Sequence, residues 1–485
     1  MQLVKSRVGA EWAVSTGNSY AAKAAERMLA LGGSAVDAAI AADAVMGVVE
    51  PMATSIGGDV LAMVVEANGK VQAYNGTGRS PAALQEDDVL QFANHRIPER
   101  HPFSVTTPGA VRGWHDLHQR YGNLPWQQLF EDAIQLAENG FVVAEVAARE
   151  WKIFDFVLHV DPHCAQLYRA GNTPVAGERF ANPRLAALLG EIAQHGYQAF
   201  YEGEIPQAAE NAMKRVGGRL QASDFAAHEG YFCEPLQADV GEVSLYQCPP
   251  NTHGCAVLDA LTALPLKPSS DRTEDELDVI AATADALTHA AKTVCDSGGN
   301  TVCTVVVDTS GLAITLMSSI FKRFGSGFVV PEGGFVLQNR GFGFAEPGHC
   351  NSAAPSKRPY HTVVPGAATR EGRFYMGLGV VGGLMQPQGQ IQILNRVLRW
   401  QEPLDKAVFA PRWRLEPGHT LAIEKGTAQP LADAFRQHGY GEPAAGVGDL
   451  AGRSDFGGAQ VVMRTPDGQL WAVSDSRKDG EVRVG

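Results

Sequence analysis

The hydrophobic rhythm of the chain changes once, near residue 300, and that change limits what it can fold into. Upstream, residues 20–31 are strong helix formers that stop at Gly32-Gly33. Ser34 with Asp37 three residues later spells a capping box for a second helix running to about Val49. That helix is rich in Ala and Val on nearly all faces, so it is expected to be buried, and Pro51 ends it. Residues 61–66 and 70–74 flank Asn68-Gly69, a hairpin signal. A helix-rich stretch then covers about 124–219, with helices predicted within 126–139, 183–195 and 205–216. Downstream, residues 302–307 are a β-rich run, Asp308-Thr309-Ser310-Gly311 turns it, and 312–317 return. Arg370-Glu371-Gly372 and Pro466-Asp467-Gly468 sit in further hairpin contexts, with one helix at about 389–399 between them. Hairpins with long helices on both sides predict sheets covered by helices, an α/β or α+β layered architecture. The polar, Pro-containing stretch 265–275 is where low order is expected.

A chain of 485 residues buries a large core without metal or disulfide staples. Its 40 Lys and Arg against 53 Asp and Glu give a net charge of −13, which argues against nucleic acid or an anionic membrane as partner. No apolar run approaches the length of a membrane-spanning helix, and Met1 to Arg7 lacks the apolar run of a signal peptide, so a cytoplasmic protein is expected. The seven cysteines (164, 233, 248, 255, 295, 303 and 350) form no CxxC pair, which suits a reducing compartment, and Cys303 reads as a core residue. Glycine, at 53 residues, is above its usual share of about 7% and collects in pairs that end apolar runs, among them Gly57-Gly58, Gly298-Gly299 and Gly382-Gly383.

The segment richest in chemical meaning is Asp296-Ser297-Gly298-Gly299-Asn300-Thr301-Val302-Cys303. Taken alone it reads as a loop entering a strand, with threonine chosen for β propensity. It also reads as an N-terminal nucleophile. Cleavage between Asn300 and Thr301 would give Thr301 a free α-amine, which titrates near 7.7–8.0, roughly neutral pH, and reaches its own hydroxyl without a histidine.

The wider sequence decides between these. Gly32-Gly33-Ser34-Ala35-Val36-Asp37-Ala38-Ala39, Val48-Val49-Glu50-Pro51, Ile56-Gly57-Gly58, Thr107-Pro108-Gly109-Ala110-Val111 and Tyr121-Gly122-Asn123-Leu124-Pro125-Trp126 occur in that order. They are followed by Phe324-Gly325-Ser326-Gly327, Lys357-Arg358-Pro359, Val381-Gly382-Gly383 with Gln386-Pro387-Gln388, and Ser474-Asp475. In these motifs the chain resembles the γ-glutamyltransferase family of N-terminal nucleophile hydrolases, nearly end to end. The resemblance implies a four-layer αββα sandwich of the α+β class. It implies a single precursor that cuts itself into a large part, 1–300, and a small part, 301–485, which stay together as one structural domain, with a dimer of such pairs as a further expectation. It places the nucleophile on Thr301 and the oxyanion-hole N–H groups on Gly382 and Gly383. Ser319 falls where the family has a hydroxyl that orients the nucleophile's amine. No cofactor is implied, and His115 with His118 lacks the acidic or cysteine partners of a metal site. No phosphate-binding GxxxxGK[ST] motif is present.

The departures concern the substrate. The arginine with which γ-glutamyl enzymes hold the α-carboxylate falls on Thr77, with Arg79 two residues later. The family's aspartate for the α-amine falls on Gly343, and its Ser-Ser pair falls on His361-Thr362. The amino-acid clamp is thus largely gone. Lys322, Arg323 and Arg340 lie in segments that line the family's pocket, with no acidic residue expected beside them, and Arg forks suit planar carboxylates. Within the broad family, Gly-Gly-x-x-Gln-Pro-Gln and Lys-Arg-Pro-x-His-Thr resemble the branch containing oxamate amidohydrolase of purine breakdown. A small carboxylate-bearing amide without an amino group, such as oxamate, would satisfy such a pocket. Two alternatives stay open: a γ-glutamyl hydrolase or transpeptidase in which Arg79 or Arg340 replaces the clamp, and an unprocessed binding protein. The helix predicted over 277–294 runs almost directly into the cleavage segment, so the tail of the large part is short.

Overall fold

The computed structural model describes residues 3–293, 300–416, 420–440 and 456–485. Residues 294–299, which include Cys295 and lead up to the expected cleavage site at Asn300 and Thr301, lie outside the described residues. Two seven-stranded antiparallel sheets form the centre. The first runs Glu481–Val484, Ala13–Thr16, Asn300–Val307, Ala313–Phe321, Asp59–Val65, Val71–Gly76 and Tyr231–Cys233. The second runs Ser6–Gly9, Leu470–Ser474, Ala459–Arg464, Arg373–Val380, Gly366–Arg370, Val243–Gln247 and Leu236–Val240. Each sheet combines strands from both sides of residue 300.

Three apolar layers hold the stack together, as the period-2 alternation of the strands requires. Leu61, Met63, Cys303, Val305 and Met317 of the first sheet meet Ala367, Phe374, Val462 and Ala472 of the second. The opposite face of the first sheet, including Val60, Ala62, Val302 and Val306, packs on the N-terminal helices. The outer face of the second, including Leu245, Met376 and Val461, packs on helices Cys255–Ala263, Arg272–Thr293 and Met385–Leu394. The molecule is therefore an αββα sandwich of the α+β class. The sheets approach closely where the second carries glycine: a Cβ on Gly379 would stand 2.5 Å from Cys303 Sγ.

Helix Ala35–Val49 has every residue buried and carries the expected capping box, Asp37 N to Ser34 Oγ at 3.1 Å and Ser34 N to Asp37 Oδ2 at 2.8 Å. The helix predicted over 389–399 begins earlier, at Met385, and continues to Arg399 as a wider π turn. The helix predicted over 126–139 is split into a 3₁₀ turn, Trp126–Phe130, and Glu131–Asn139. The stretch 265–275, expected to be of low order, is fixed at its end. Asp275 is fully buried, paired with Arg399 at 2.8 Å, and helix Arg272–Thr293 starts inside the stretch. No helix among the described residues is long and apolar enough to cross a membrane.

Candidate active site

Asn300–Val307 and Ala313–Phe321 form a hairpin whose register slips at its open end. Asn300 faces Phe321 and Val302 faces Ser318, so Ser319 and Ile320 together oppose Thr301. This bulge takes Thr301 out of the regular ladder at the point where its side chain enters the space between the sheets. Thr301 is 1% exposed. Its Oγ1 accepts a hydrogen bond from Gln386 Nε2 at 2.6 Å.

The second sheet brings the glycine pair to the same place. Arg373–Val380 crosses strand Asn300–Val307 with Gly377 over Val305 and Gly379 over Cys303, a progression that carries the following residues toward Thr301. There the chain turns through Gly382 (φ 117°) and Gly383 (φ 63°), conformations that side chains with a Cβ adopt only under strain. The two carbonyls point into helix Met385–Leu394, accepting from Met385 N at 3.1 Å and Gln386 N at 2.9 Å. Among the described residues neither glycine N–H has an acceptor. Such donors at a helix start suit a developing oxyanion.

Arg340 forms the other wall. Its side chain is fully buried, with Nη2 donating to Ser319 Oγ at 3.0 Å and Nη1 to Thr362 Oγ1 at 3.2 Å. The guanidinium lies 4.2 Å from the Phe321 ring centroid, and its Nε has no partner among the described residues. No described carboxylate forms an ion pair with it, and burial pulls its pKa below the ordinary arginine value. Ser319, which with Ile320 opposes Thr301 in the hairpin, thus accepts from the cation. Ser319 Oγ also accepts from Phe321 N at 2.8 Å, which holds Phe321 at φ 75° beneath the guanidinium.

His361 and Thr362 separate in role. Thr362 reaches Arg340, whereas His361 Nε2 donates to Asp59 Oδ2 at 3.2 Å and its Nδ1 accepts from Val363 N at 3.2 Å. Burial pulls His361 down to about 4, so the ring is neutral. Thr77 is buried, its hydroxyl donating to Asn75 Oδ1 at 2.6 Å, and the next residue's N–H reaches Asp59.

Two expected pocket residues belong elsewhere. Arg323 is not free of acidic neighbours: it is buried against Glu150, Nη2 to Oε1 at 2.6 Å, in a cluster that also holds Lys478. Arg79 is exposed and donates to the Ser356 carbonyl at 3.0 Å, outside the group around Thr301. Lys322 stays near the site by its stem, with its ammonium 5.4 Å from the Phe321 ring and 5.3 Å from the Phe342 ring. Asp59 and Gln386 were not singled out in the sequence. Asp59 follows Gly57-Gly58 directly, and Gln386 opens Gln386-Pro387-Gln388 just after the glycine turn, so both had a local signal. Cys303 is core: it lies under Gly379, and burial pushes its thiol up. Among the described residues no group of His, Cys, Asp and Glu is placed to hold a metal.

The comparisons agree over the whole chain. The family model described as Gamma-glutamyltranspeptidase matches residues 21–296 and 269–485. A glutathione hydrolase-like proenzyme, YwrD, of Bacillus subtilis is 30% identical, covering 98% of this chain and 99% of its own. An oxamate amidohydrolase proenzyme of Klebsiella pneumoniae is also 30% identical, covering 95% and 96%. Among solved structures, a cephalosporin acylase from Bacillus halodurans superposes with a TM-score of 0.93 at 29% identity, covering 100% of this chain and 98% of that one.

Proposed function

The chain belongs to the gamma-glutamyltranspeptidase family and is an amidohydrolase, and on that premise we propose that it cuts itself between Asn300 and Thr301 and then hydrolyses a small amide bearing a carboxylate, of the oxamate type. The observation that carries the substrate class is Arg340: a fully buried guanidinium, bonded to the hydroxyl of Ser319 on the strand opposite Thr301, without an ion pair to any carboxylate among the described residues. A buried cation of this kind is costly until an anion joins it, so it favours a substrate that brings a carboxylate. Among the described residues the carboxylate whose charge acts on it is Asp59, which already accepts from Gly78 N, Gln338 Nε2 and His361 Nε2. It is therefore poorly placed to hold a substrate ammonium. That weighs against γ-glutamyl compounds, the reading that the glutathione hydrolase-like relative favours.

In this reading the Thr301 α-amine takes the hydroxyl proton as Oγ1 attacks the amide carbon. The carbonyl oxygen gathers charge against the N–H groups of Gly382 and Gly383, and the amine returns the proton to the leaving nitrogen. Water then attacks the ester, again through the α-amine, and frees Thr301. Both parts contribute strands to both sheets, so they stay associated after the cut. The first test is the intact mass of fresh protein followed over a day beside Thr301→Ala. Fragments 1–300 and 301–485 are expected in the wild type only, followed by ammonia release from oxamate exceeding release of a chromogen from a γ-glutamyl anilide. A persistent single chain in both proteins overturns the nucleophile assignment and leaves a binding protein. Preference for the anilide overturns the substrate class alone.

A further inference from the structure

Gln386 is a second group on the reacting oxygen. It stands at the start of helix Met385–Leu394, three residues beyond Gly383, and is fully buried. Its two amide ends are not interchangeable. Val364 N–H lies 3.0 Å from one end, and a backbone N–H can only donate, so that end is the oxygen, Oε1. The NH2 end is thereby turned to Thr301, at 2.6 Å from Oγ1. Since Nε2 has no acceptor capacity, the contact has one polarity: the amide donates and the threonine oxygen accepts.

From this geometry we propose that Gln386 is a catalytic hydrogen-bond donor to Thr301 Oγ1, in self-cleavage as well as in turnover. The inference rests on Thr301 being the nucleophile but not on the identity of the substrate. In self-cleavage the Oγ1–C bond to residue 300 forms and the C–N bond to Thr301 breaks. The hydroxyl proton ends on the nitrogen that becomes the α-amine, and water later opens the ester. In turnover the hydroxyl proton goes to that amine and from it to the departing nitrogen. Throughout, Gln386 keeps its own protons. It occupies a lone pair of Oγ1 with a group that cannot accept, so the threonine proton goes to the Thr301 nitrogen, the scissile nitrogen in self-cleavage and the α-amine in turnover. It also stabilises negative charge on Oγ1 when that oxygen attacks and again when it leaves the acyl-enzyme. The segment from Gly382 to Gln386 thus serves both oxygens of the reaction: its glycine N–H groups the carbonyl oxygen, its glutamine the nucleophile.

The test compares Gln386→Glu, Gln386→Met and Gln386→Asn with wild type and Thr301→Ala. Self-cleavage is followed by intact mass, turnover by ammonia release from oxamate, and folding by circular dichroism and thermal midpoint. Gln386→Met keeps the volume and removes the donor. It is expected to fold, to cut itself at least tenfold more slowly and, once cut, to lose about 100-fold in kcat with little change in KM, the scale of one lost donor at an anionic oxygen. Gln386→Glu reverses the polarity. Its residual self-cleavage is expected to rise as pH falls, where the introduced carboxyl regains a proton to donate, a trend opposite to wild type. Should Gln386→Met fail to fold, Gln386→Asn, which keeps the amide but shortens its reach, carries the same comparison. Folded variants that cut themselves at the wild-type rate with an unchanged pH profile overturn the role of Gln386. Self-cleavage by Thr301→Ala instead overturns the nucleophile assignment on which it rests, whatever Gln386 does.

Discussion

Replacing Arg340 by methionine separates a substrate-binding cation from a structural one. The guanidinium is fully buried, donates to two hydroxyls and has no carboxylate partner among the described residues. A substrate carboxylate resting against it at about 4 Å, with an effective dielectric constant of about 20, gains about 4 kcal/mol. Arg340→Met should therefore lower kcat/KM for oxamate by about 1,000-fold, since about 1.4 kcal/mol is a factor of ten. Oxamide, the uncharged diamide of the same length, should lose less than about threefold, because it brings no charge for Arg340 to meet. The effect on stability has the opposite sign from that of an ordinary salt bridge. An unpaired buried charge is replaced by an apolar chain of similar volume, so the thermal midpoint should hold or rise. Steady-state ammonia release with both compounds and a thermal melt make the comparison. A large drop in melting temperature, with oxamate and oxamide losing activity in parallel, would make Arg340 a pillar of the fold and not a cation that meets substrate.

Two further outcomes follow from the titrating groups. If the Thr301 α-amine is the general base, kcat/KM rises with pH through roughly 7.7–8.0 and then levels; His361, already neutral above about 4, adds no limb at neutral pH, so a profile governed by a group near 6.5 would count against the free amine. Asp43, in helix Ala35–Val49, receives Trp114 Nε1 at 2.8 Å and Ser318 Oγ at 2.5 Å, and burial lifts it from 3.8 to about 6. The folded state then holds a proton that the unfolded chain has lost, so stability falls as pH rises between those values, by about 3 kcal/mol, and is level above them. Asp43→Asn should flatten that slope in urea titrations at pH 4 and 7, and an unchanged slope would assign it to other groups.

What the sequence made legible is local or periodic. The hairpin from residue 300 onward announces itself because a run rich in β-branched residues ends at a four-residue turn, and the start of helix Ala35–Val49 because its cap is written in Ser34 and Asp37. Strands Leu236–Val240 and Val243–Gln247 were not foreseen. They lie at one edge of the second sheet, and Leu236–Val240 alternates apolar and polar residues over only five positions, too short a pattern to stand out beside the long buried runs of the inner strands. Helix Ala110–Tyr121 was hidden by the Thr107-Pro108-Gly109 approach, which reads as loop. The site divides along the same line. Thr301, the glycine pair and Arg340 sit in motifs that carry their own meaning. Arg323 was misplaced because the partner that removes it from the pocket, Glu150, belongs to a helix far away in the chain. Nothing within a few residues of Arg323 encodes that pairing.

The clamp can also be tested by adding charge instead of removing it. Gly343 closes the 3₁₀ turn that Arg340 opens, and residues three apart on such a turn stand one above the other. Its φ is not in the positive region, and a Cβ there would meet only the Tyr360 carbonyl, at 3.1 Å, a contact relieved by a few tenths of an ångström. Gly343→Asp therefore places a carboxylate within reach of Arg340 without forcing the backbone. If the value of Arg340 lies in its missing counter-ion, that carboxylate takes the position a substrate anion would occupy. Oxamate turnover should fall at least tenfold through KM, while self-cleavage, which needs no substrate anion, proceeds at the wild-type rate. Adding Thr77→Arg to Gly343→Asp then supplies a cation and an anion together, and any gain with a γ-glutamyl anilide should appear only in that double variant. Full oxamate activity in Gly343→Asp, with the ion pair to Arg340 seen in its structure, would mean that substrate does not meet the guanidinium at all, and the pocket would have to be sought on another side of Thr301.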